Sequence, residues 1–552
     1  MAAPLGRLGE PPLSRETLAR LVPFAGWTVA LGTSMWLCGV LIAARRLPAG
    51  DAAHFIATES RLAGLVAEGE LLRALTLFFS LLAPHPPLGY LPGVVAQLLW
   101  PDAIAAAVIA QGLVLLLGWD GLRRLFPQQP PMGAWMMILG SPMVWLAVDQ
   151  HGRDLVVAVV ALQALSHLLA SDGLRVRTSS LAFGAWMGVG FMVKYTFPMF
   201  LFVPCLLSVG ALISAERRRN LSAAVLTFVA VAGPWYAVFG SGVRRYLFHS
   251  TGAHTSFGNY RTDLWATESI VFYPLALKDS LGWPGVTLLG VSAVVLVFQR
   301  QVRTGLLLIG ASAGGLAVLS TINQAQDRYA APALLLLAAL AGAFRGWTMV
   351  IPLALGLIQT WYTARAFAPG ARTGEAIHLH PLRSWTEASW PRSAWYRPTD
   401  IELGSWKLDE AFTAMAGEQG EQGTVGLLLG DQPFLPAFGS VVLAAQGRGY
   451  RWDYGVVKVQ GQDWTLFRGP LFDGAWPPGE FRTLLSILCP SDSLAGAWRS
   501  SRVRQTLLES PVNGGCTLRV DVVALGPLPA LDGPVSSERA DGGLPPPPEA
   551  AP

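Results

Sequence analysis

Three charged residues stand where apolar runs of the sequence begin or end. Asp51 follows the first apolar run, Asp154 opens a later one, and Lys194 lies at a turn between two others. Ionisable side chains are costly in hydrocarbon and usually face a polar cavity or the membrane interface. A carboxylate in such a place can take the proton of a hydroxyl or amine, and a lysine can stabilise a phosphate that departs. We therefore predict an active site at a membrane surface, with Asp51 at its centre.

Each of these residues also has a simpler structural interpretation. An aspartate at the start of a helix is a common N-cap, which applies to both Asp51 and Asp154. A lysine at the end of a span can extend its ammonium to the interface. We expect Asp51 to act as a general base and Lys194 to contact phosphate as a mobile point charge. For Asp154, orienting an acceptor or a metal and capping a helix remain equal alternatives.

The composition indicates that these residues belong to a polytopic membrane protein. Of 552 residues, 52% are hydrophobic and only 14% are charged, and the mean hydropathy is +0.42. These values are too apolar for an ordinary soluble protein. The net charge is only +4, and the arginines form short clusters between apolar runs, as topology signals do. No single basic face is available for nucleic acid, so we expect no nucleic-acid partner.

The apolar runs predict about eleven membrane spans, among them runs at about Ala103 to Phe126, Met132 to Val148, Leu181 to Lys194 and Leu306 to Leu319. Residues 1–20 form a polar, cytoplasmic N-terminus, and residues 21–365 form a transmembrane domain with a large external loop at about 45–102. The alternation of apolar and charged residues in that loop favours interfacial helices broken by prolines over a clean span. Basic clusters at 123–124, 175–177 and 217–219 are expected inside, which places Asp51, Asp154 and Lys194 on one external surface.

The composition changes at about residue 366. Short strand-like runs between 366 and 525 predict a small α/β domain, and an odd number of spans places it outside the cytoplasm. Residues 526–552 are rich in proline and are expected to be disordered. Cys489 and Cys516 lie in the predicted external domain, where a disulfide can form, but their spacing leaves the pairing open.

The order of these motifs resembles the GT-C class of polyprenyl-phosphate-sugar-dependent glycosyltransferases. The resemblance is to the protein O-mannosyltransferase and lipid A aminoarabinose transferase superfamily, and it covers about residues 20–345. Five features carry it: Asp51 after the first span, His85-Pro86-Pro87-Leu88, Asp154 at the start of a span, Lys194, and Arg328-Tyr329 before a late span. The sequence departs from the family after Asp51, where Ala52 replaces a common second acid and Phe55 stands where a tyrosine is usual.

The resemblance implies an integral membrane glycosyltransferase of inverting type in the cell inner (plasma) membrane. It would move a sugar from a polyprenyl-phosphate donor to an envelope acceptor (a lipid, glycan or protein) on the extracytoplasmic face. Asp51 and Asp154 are the candidate catalytic residues. The candidate substrate-binding residues are His54, His85, Arg153, Lys194, Arg261, Arg328 and Tyr329. The sequence establishes no cofactor; a divalent metal, held by His54, Asp149 and His151 together with Asp51 or Asp154, is an open alternative.

Two other classes of function remain as alternatives. A transporter or flippase would need polar residues along a path through the spans, whereas the ionisable groups here cluster at one face. A relative that only scaffolds other envelope enzymes is kept open by Ala52, because it removes the family's second acid.

Overall fold

The computed structural model describes most of the helical part of the chain and the strands of its C-terminal part. The described residues are 15–44, 51–81, 86–100, 102–209, 214–251, 267–321, 327–368, 407–420, 422–429, 451–460, 463–468, 483–488, 503–511 and 517–523. The predictions for the N-terminus before residue 15, for Cys489 and Cys516 and for the tail 526–552 lie outside them. The chain forms two compact units, Met1–Leu408 with Asp431–Gly449 and Asp409–Gly430 with Tyr450–Pro552.

The first unit is helical throughout its described residues. Its α-helices are α1 (Arg15–Ala44), α2 (Asp51–Ala67), α3 (Leu71–Thr76), α4 (Leu91–Leu99), α5 (Ala103–Leu125), α6 (Met132–Gly140), α7 (Pro142–Asp149), α8 (Arg153–Ala170), α9 (Arg177–Val193), α10 (Phe197–Leu207), α11 (Ala215–Thr251), α12 (Thr267–Phe298), α13 (Val302–Ser320), α14 (Ala331–Ala339) and α15 (Val350–Phe367). Short 3₁₀ or π segments flank α3, α4, α14 and α15.

Several of these helices are long and apolar enough to cross a membrane. Within the described residues the six such segments are Phe24–Ala44, Ala103–Leu125, Arg153–Ala170, Ala215–Arg244, Val271–Phe298 and Val302–Ser320. The pair α6 and α7, bent by 68°, makes a seventh if it is one broken span. Shorter apolar helices include Pro87–Leu99, Phe197–Leu207 and Arg328–Ala343. The chain is thus a multi-pass membrane protein, as its composition predicts, while the figure of about eleven spans stays a prediction.

The break between α6 and α7 has a local cause. The sequence predicts one continuous run from Met132 to Val148, but Ser141 adopts an extended conformation (φ −78°, ψ 122°) directly before Pro142. A proline disfavours the helical conformation in the residue before it. The run therefore splits into two short helices, and the second ends just before the polar turn that leads into α8.

Close packing of α9 against α11 places the end of α9. A Cβ added at Gly184 would lie 2.1 Å from the Ala224 carbonyl oxygen, and one at Gly188 would lie 2.6 Å from Val231 Cβ. Two glycines four residues apart form the small-xxx-small pattern that lets two membrane helices approach closely. This contact positions α9, and with it Lys194 at its C-terminal end.

Helix α8 lies in the interior of the first unit. It packs on α5, α9 and α14, and its residues from Arg153 to Ser166 are all buried. The polar groups at its N-terminal end are therefore surrounded by protein.

The second unit is a small α/β domain, as predicted. Helix α16 (Leu408–Gln419) precedes six strands, β1 (Gln422–Leu429), β2 (Arg451–Gln460), β3 (Asp463–Arg468), β4 (Thr483–Leu488), β5 (Val503–Pro511) and β6 (Thr517–Val523). The sheet order is β3-β2-β1-β4-β6-β5; β1 is parallel to β2 and β4, and the other pairs are antiparallel. Alternate residues of β1, Val425 and Leu427, are fully buried. The boundary at residue 366 and the external location remain predictions.

Candidate active site

At the N-terminal end of α8, one carboxylate pairs with two cationic side chains. Asp154, in the first turn of α8, is buried and accepts a hydrogen bond from Lys194 Nζ to Oδ1 at 2.7 Å. Its other oxygen, Oδ2, lies 3.8 Å from Arg328 Nε. The N-cap of α8 is Gly152, so the interpretation of Asp154 as a helix cap is wrong. Its side chain instead pairs with two cations from the ends of other elements.

Lys194 is held in place where α9 ends. Its backbone is extended (φ −161°, ψ 139°), which stops the helix and turns the chain towards α10. Its Nζ lies 4.5 Å from the Tyr329 ring centroid, and the Arg328 guanidinium carbon lies 5.5 Å from the same centroid. Burial lowers the pKa of the Lys194 ammonium, and the Asp154 carboxylate opposes that shift. Lys194 is therefore a fixed charge, whereas the sequence suggested a mobile one.

Arg153 is stacked between two aromatic rings. Its guanidinium carbon lies 3.7 Å from the Phe55 ring centroid and 3.6 Å from that of Tyr90. The side chain is buried, and Nε and Nη2 have no hydrogen-bond partner in the part of the chain that the structure describes. Cation–π contact favours the stacked position, but buried N–H donors without an acceptor are costly. These donors are suited to an acceptor supplied by a ligand.

A buried pair missed by the sequence analysis supports the turn before α8. His151 Nε2 lies 2.7 Å from Glu59 Oε1, and His151 Nδ1 lies 3.2 Å from Gln111 Nε2. Both members of the 2.7 Å pair are almost fully buried, and burial raises the pKa of the Glu59 carboxyl while His151 opposes the shift. His151 has a left-handed backbone (φ 47°), which is costly for a residue other than glycine. These contacts stabilise the turn that delivers Arg153.

A signal for this pair exists in the sequence. Glu59 lies in the polar run from Thr58 to Arg61 in the middle of α2, and His151 belongs to the polar segment before Arg153. Two polar residues 92 positions apart cannot be matched to each other without knowing how α2 and α8 pack.

For the other predicted site residues, the structure describes the backbone at most. Asp51 is the first residue of α2 and His54 lies in the same helix, but the side chains of both lie outside the structural description. His85 and Arg261 are also outside the described residues.

No metal site is seen in the described part of the chain. There, no group of three histidine, cysteine, aspartate or glutamate side chains could hold an ion. Of the candidates named above, His151 contacts Glu59, and Asp149 accepts a hydrogen bond from Gln150 at 2.9 Å.

Five of the predicted residues therefore meet at one end of the helical unit. They are Arg153, Asp154, Lys194, Arg328 and Tyr329. Lys194 and Arg328 contact the Asp154 carboxylate, and the charge of Arg153, the residue before Asp154, also acts on Lys194. The Arg153 guanidinium itself is stacked between Phe55 and Tyr90. Such an arrangement can bind a phosphate group by charge and by directed N–H donors.

The fold of the chain is similar to that of a membrane protein of known structure, ArnT. The crystal structure of ArnT from Cupriavidus metallidurans in the apo state is similar at a TM-score of 0.56 and 14% sequence identity, over 92% of this chain and 100% of that one. The structure of the same protein bound to undecaprenyl phosphate is similar at a TM-score of 0.53 and 17% identity, over 91% of this chain and 99% of that one. No protein-family model and no curated relative matches the sequence. The resemblance drawn from the motifs is thus confirmed at the level of the fold.

Proposed function

We propose that this protein is an integral membrane glycosyltransferase that uses a polyprenyl-phosphate-linked sugar. The observation that carries the proposal is the pairing of Lys194 and Arg328 with Asp154, directly beside Arg153, whose buried Nε and Nη2 donors have no acceptor among the described residues. A phosphate ester supplies both the negative charge and the acceptor oxygens that this site requires. The undecaprenyl phosphate bound to a protein of the same fold supports this choice of ligand.

The proposed reaction assigns one role to each group. The acceptor oxygen or nitrogen attacks C1 of the sugar, the bond between C1 and the phosphate oxygen breaks, and the leaving phosphate keeps the electron pair. Asp51 takes the acceptor's proton, and Arg153, Lys194 and Arg328 stabilise the developing charge on phosphate. Asp154 orients Lys194 and Arg328. His54, His85 and Arg261 are proposed as further substrate contacts, and Tyr329 supports the two cations.

The position of Asp51 agrees with this role. Asp51 precedes Phe55 by four residues, which is one helical turn and a rise of about 6 Å. Phe55 in turn contacts Arg153. The N-terminal end of α2 is therefore close to the phosphate-binding arginine, as a base acting on the attacking group requires.

The proposed location follows from the charge distribution. The site faces the extracytoplasmic side of the inner membrane, with the N-terminus cytoplasmic, because the arginine clusters lie at the opposite ends of α8 and α9. The acceptor is an envelope lipid, glycan or protein, and the donor reaches the site through the bilayer.

The central experiment compares wild type with Asp51→Asn in membranes of cells that lack the native gene. Mass spectrometry would follow loss of the polyprenyl-phosphate sugar and changes in envelope lipids, glycans and glycoproteins. Loss of general-base help should lower the transfer rate about 10² to 10⁴-fold. Glu68→Gln, an exposed acid just beyond α2, is the matched control and should be fully active.

A binding experiment separates donor recognition from chemistry. Asp51→Asn should retain undecaprenyl phosphate, whereas Arg153→Lys keeps the charge but loses the planar donor fork and should bind the lipid about tenfold more weakly or worse. Normal transfer by well-expressed Asp51→Asn would contradict the mechanism and favour transport or scaffolding.

A further inference from the structure

A cavity lies at the other end of α8 from Asp154. Its volume is about 530 Å³, and it is bordered by the C-terminal ends of α8 and α10 and the N-terminal ends of α11 and α13. Helix α8 has 18 residues, so its two ends are roughly 27 Å apart. That length is close to the hydrocarbon thickness of a bilayer, about 30 Å. The cavity and the candidate active site therefore lie towards opposite membrane surfaces.

One wall of this cavity is cationic. Arg217 and Arg303 approach each other at Gly173, where an added Cβ would lie 3.3 Å from Arg303 Nη2 and 3.8 Å from Arg217 Cζ. Asp172, which also lines the cavity, is already paired with Arg303 at 3.4 Å and with Arg175 at 3.2 Å. No carboxylate within the described ranges forms an ion pair with Arg217. The wall thus carries positive charge in excess of its own counter-charge.

Other residues of the lining form an apolar and exposed wall. Leu207 and Leu306, both of which line the cavity, have exposed fractions of 59% and 57%, and Val302 is 42% exposed. These side chains lie on α10 and α13, and α13 is one of the candidate spans. In a membrane protein such apolar surface faces lipid chains. A ligand that fills the cavity must therefore carry an anionic group and hydrocarbon on the same molecule.

We propose that this cavity binds the headgroup of an anionic membrane phospholipid. The phosphate lies against Arg217 and Arg303, and the acyl chains follow Leu207, Val302 and Leu306 into the bilayer. Basic pockets between membrane helices are suited to such headgroups. A zwitterionic headgroup would bring its own ammonium close to the two guanidinium groups. Free phosphate would leave the apolar wall without a partner, so the lipid is the better match to both walls.

Native mass spectrometry of the full-length protein in detergent tests the proposal. Titration with phosphatidylglycerol should show one lipid retained in preference to phosphatidylcholine. Arg217→Gln should weaken retention of phosphatidylglycerol by about tenfold or more, since a charge-assisted contact is lost. Arg219→Gln makes the same charge change on the same helix at an exposed position outside the cavity. It should leave the affinity unchanged.

Two further variants, Arg303→Gln and Leu306→Gln, change the cationic and the apolar part of the lining. If Arg217→Gln fails to fold, Arg303→Gln removes charge from the same wall and should have the same effect. Leu306→Gln should also weaken the lipid, because it adds a polar group to the apolar wall. Equal retention of the two lipids, or equal weakening by Arg219→Gln, would overturn the proposal. Displacement of the lipid by millimolar inorganic phosphate would also overturn it, since that result indicates a free-anion site.

Discussion

Replacing Asp154 with asparagine tests whether the candidate active site is an electrostatic unit. The change keeps the shape of the side chain and an oxygen that can accept from Lys194 Nζ, now 2.7 Å from Oδ1. It removes the carboxylate that faces both Lys194 and Arg328. We expect loss of transfer activity together with a measurable loss of stability, because two cations remain in a site with little access to water.

The size of the expected loss of stability follows from the burial of Lys194 and Asp154. The side chains of Lys194 and Asp154 are 13% and 4% exposed, and breaking a buried ion pair costs about 3 to 5 kcal/mol. Because asparagine retains a hydrogen bond, the lower end of about 3 kcal/mol is expected for Asp154→Asn. Glu70→Gln is the matched control: its partner is Arg73 at 2.9 Å, with side chains 44% and 51% exposed. An exposed pair of this kind contributes about 0 to 1 kcal/mol.

The assay is unfolding of the purified protein in a denaturing detergent, with Lys194→Met added to close a double-mutant cycle. Removing the lysine as well should recover about 0.5 to 3 kcal/mol of the loss, although transfer should stay abolished. Asp154 and Lys194 are not a coupled buried pair if Asp154→Asn destabilises the protein no more than Glu70→Gln does. The same conclusion follows if the losses of stability from Asp154→Asn and Lys194→Met simply add in the double variant.

The loss of stability in Asp154→Asn should also depend on pH. Without the carboxylate, burial and the charges of Arg328 and Arg153 lower the pKa of Lys194 further, so the folded protein binds fewer protons than the unfolded chain. Stability then rises with pH between the lowered folded pKa and the unfolded value of about 10.4. Wild type, in which Asp154 opposes the shift, should show a weaker rise over the same range.

The remaining predictions concern packing and topology. Gly93→Ala should destabilise the protein, since the added Cβ would lie 1.9 Å from Glu59 Oε2; thermal unfolding should show a loss, whereas Gly64→Ala, with no atom within 4 Å of its Cβ, should gain about 0.5 to 1 kcal/mol. Reporters of membrane sidedness should read cytoplasmic when fused after Arg124 and external when fused after Ala366. A cytoplasmic result at the second position would contradict the odd number of spans.

The sequence by itself determined the class of the protein and most of its helices. Apolar content at low charge allows little besides a membrane protein, and the runs that became α5, α8, α9 and α13 were predicted to within a few residues. Their periodicity and length are local properties. The same holds for the end of α9 at Lys194. The run from Met132 to Val148 forms two helices bent by 68°, and Pro142 was a local signal of this break.

The order of polar motifs along the chain also identified five of the residues that meet in the site. It did so through resemblance, because an aspartate that opens a helix can equally be a cap. The structure added partners to these residues: Lys194 and Arg328 at Asp154, and the rings of Phe55 and Tyr90 around Arg153.

Only the tertiary structure decided which polar groups share a buried space. Glu59 and His151 contact each other across 92 positions of sequence because α2 and α8 both pack on α5, where His151 also contacts Gln111. Arg217 and Arg303 likewise meet at Gly173 through the packing of helix ends. Such contacts depend on the approach of whole helices, which side-chain volumes across the interface determine. Periodicity within one helix carries no information about the helix that will face it.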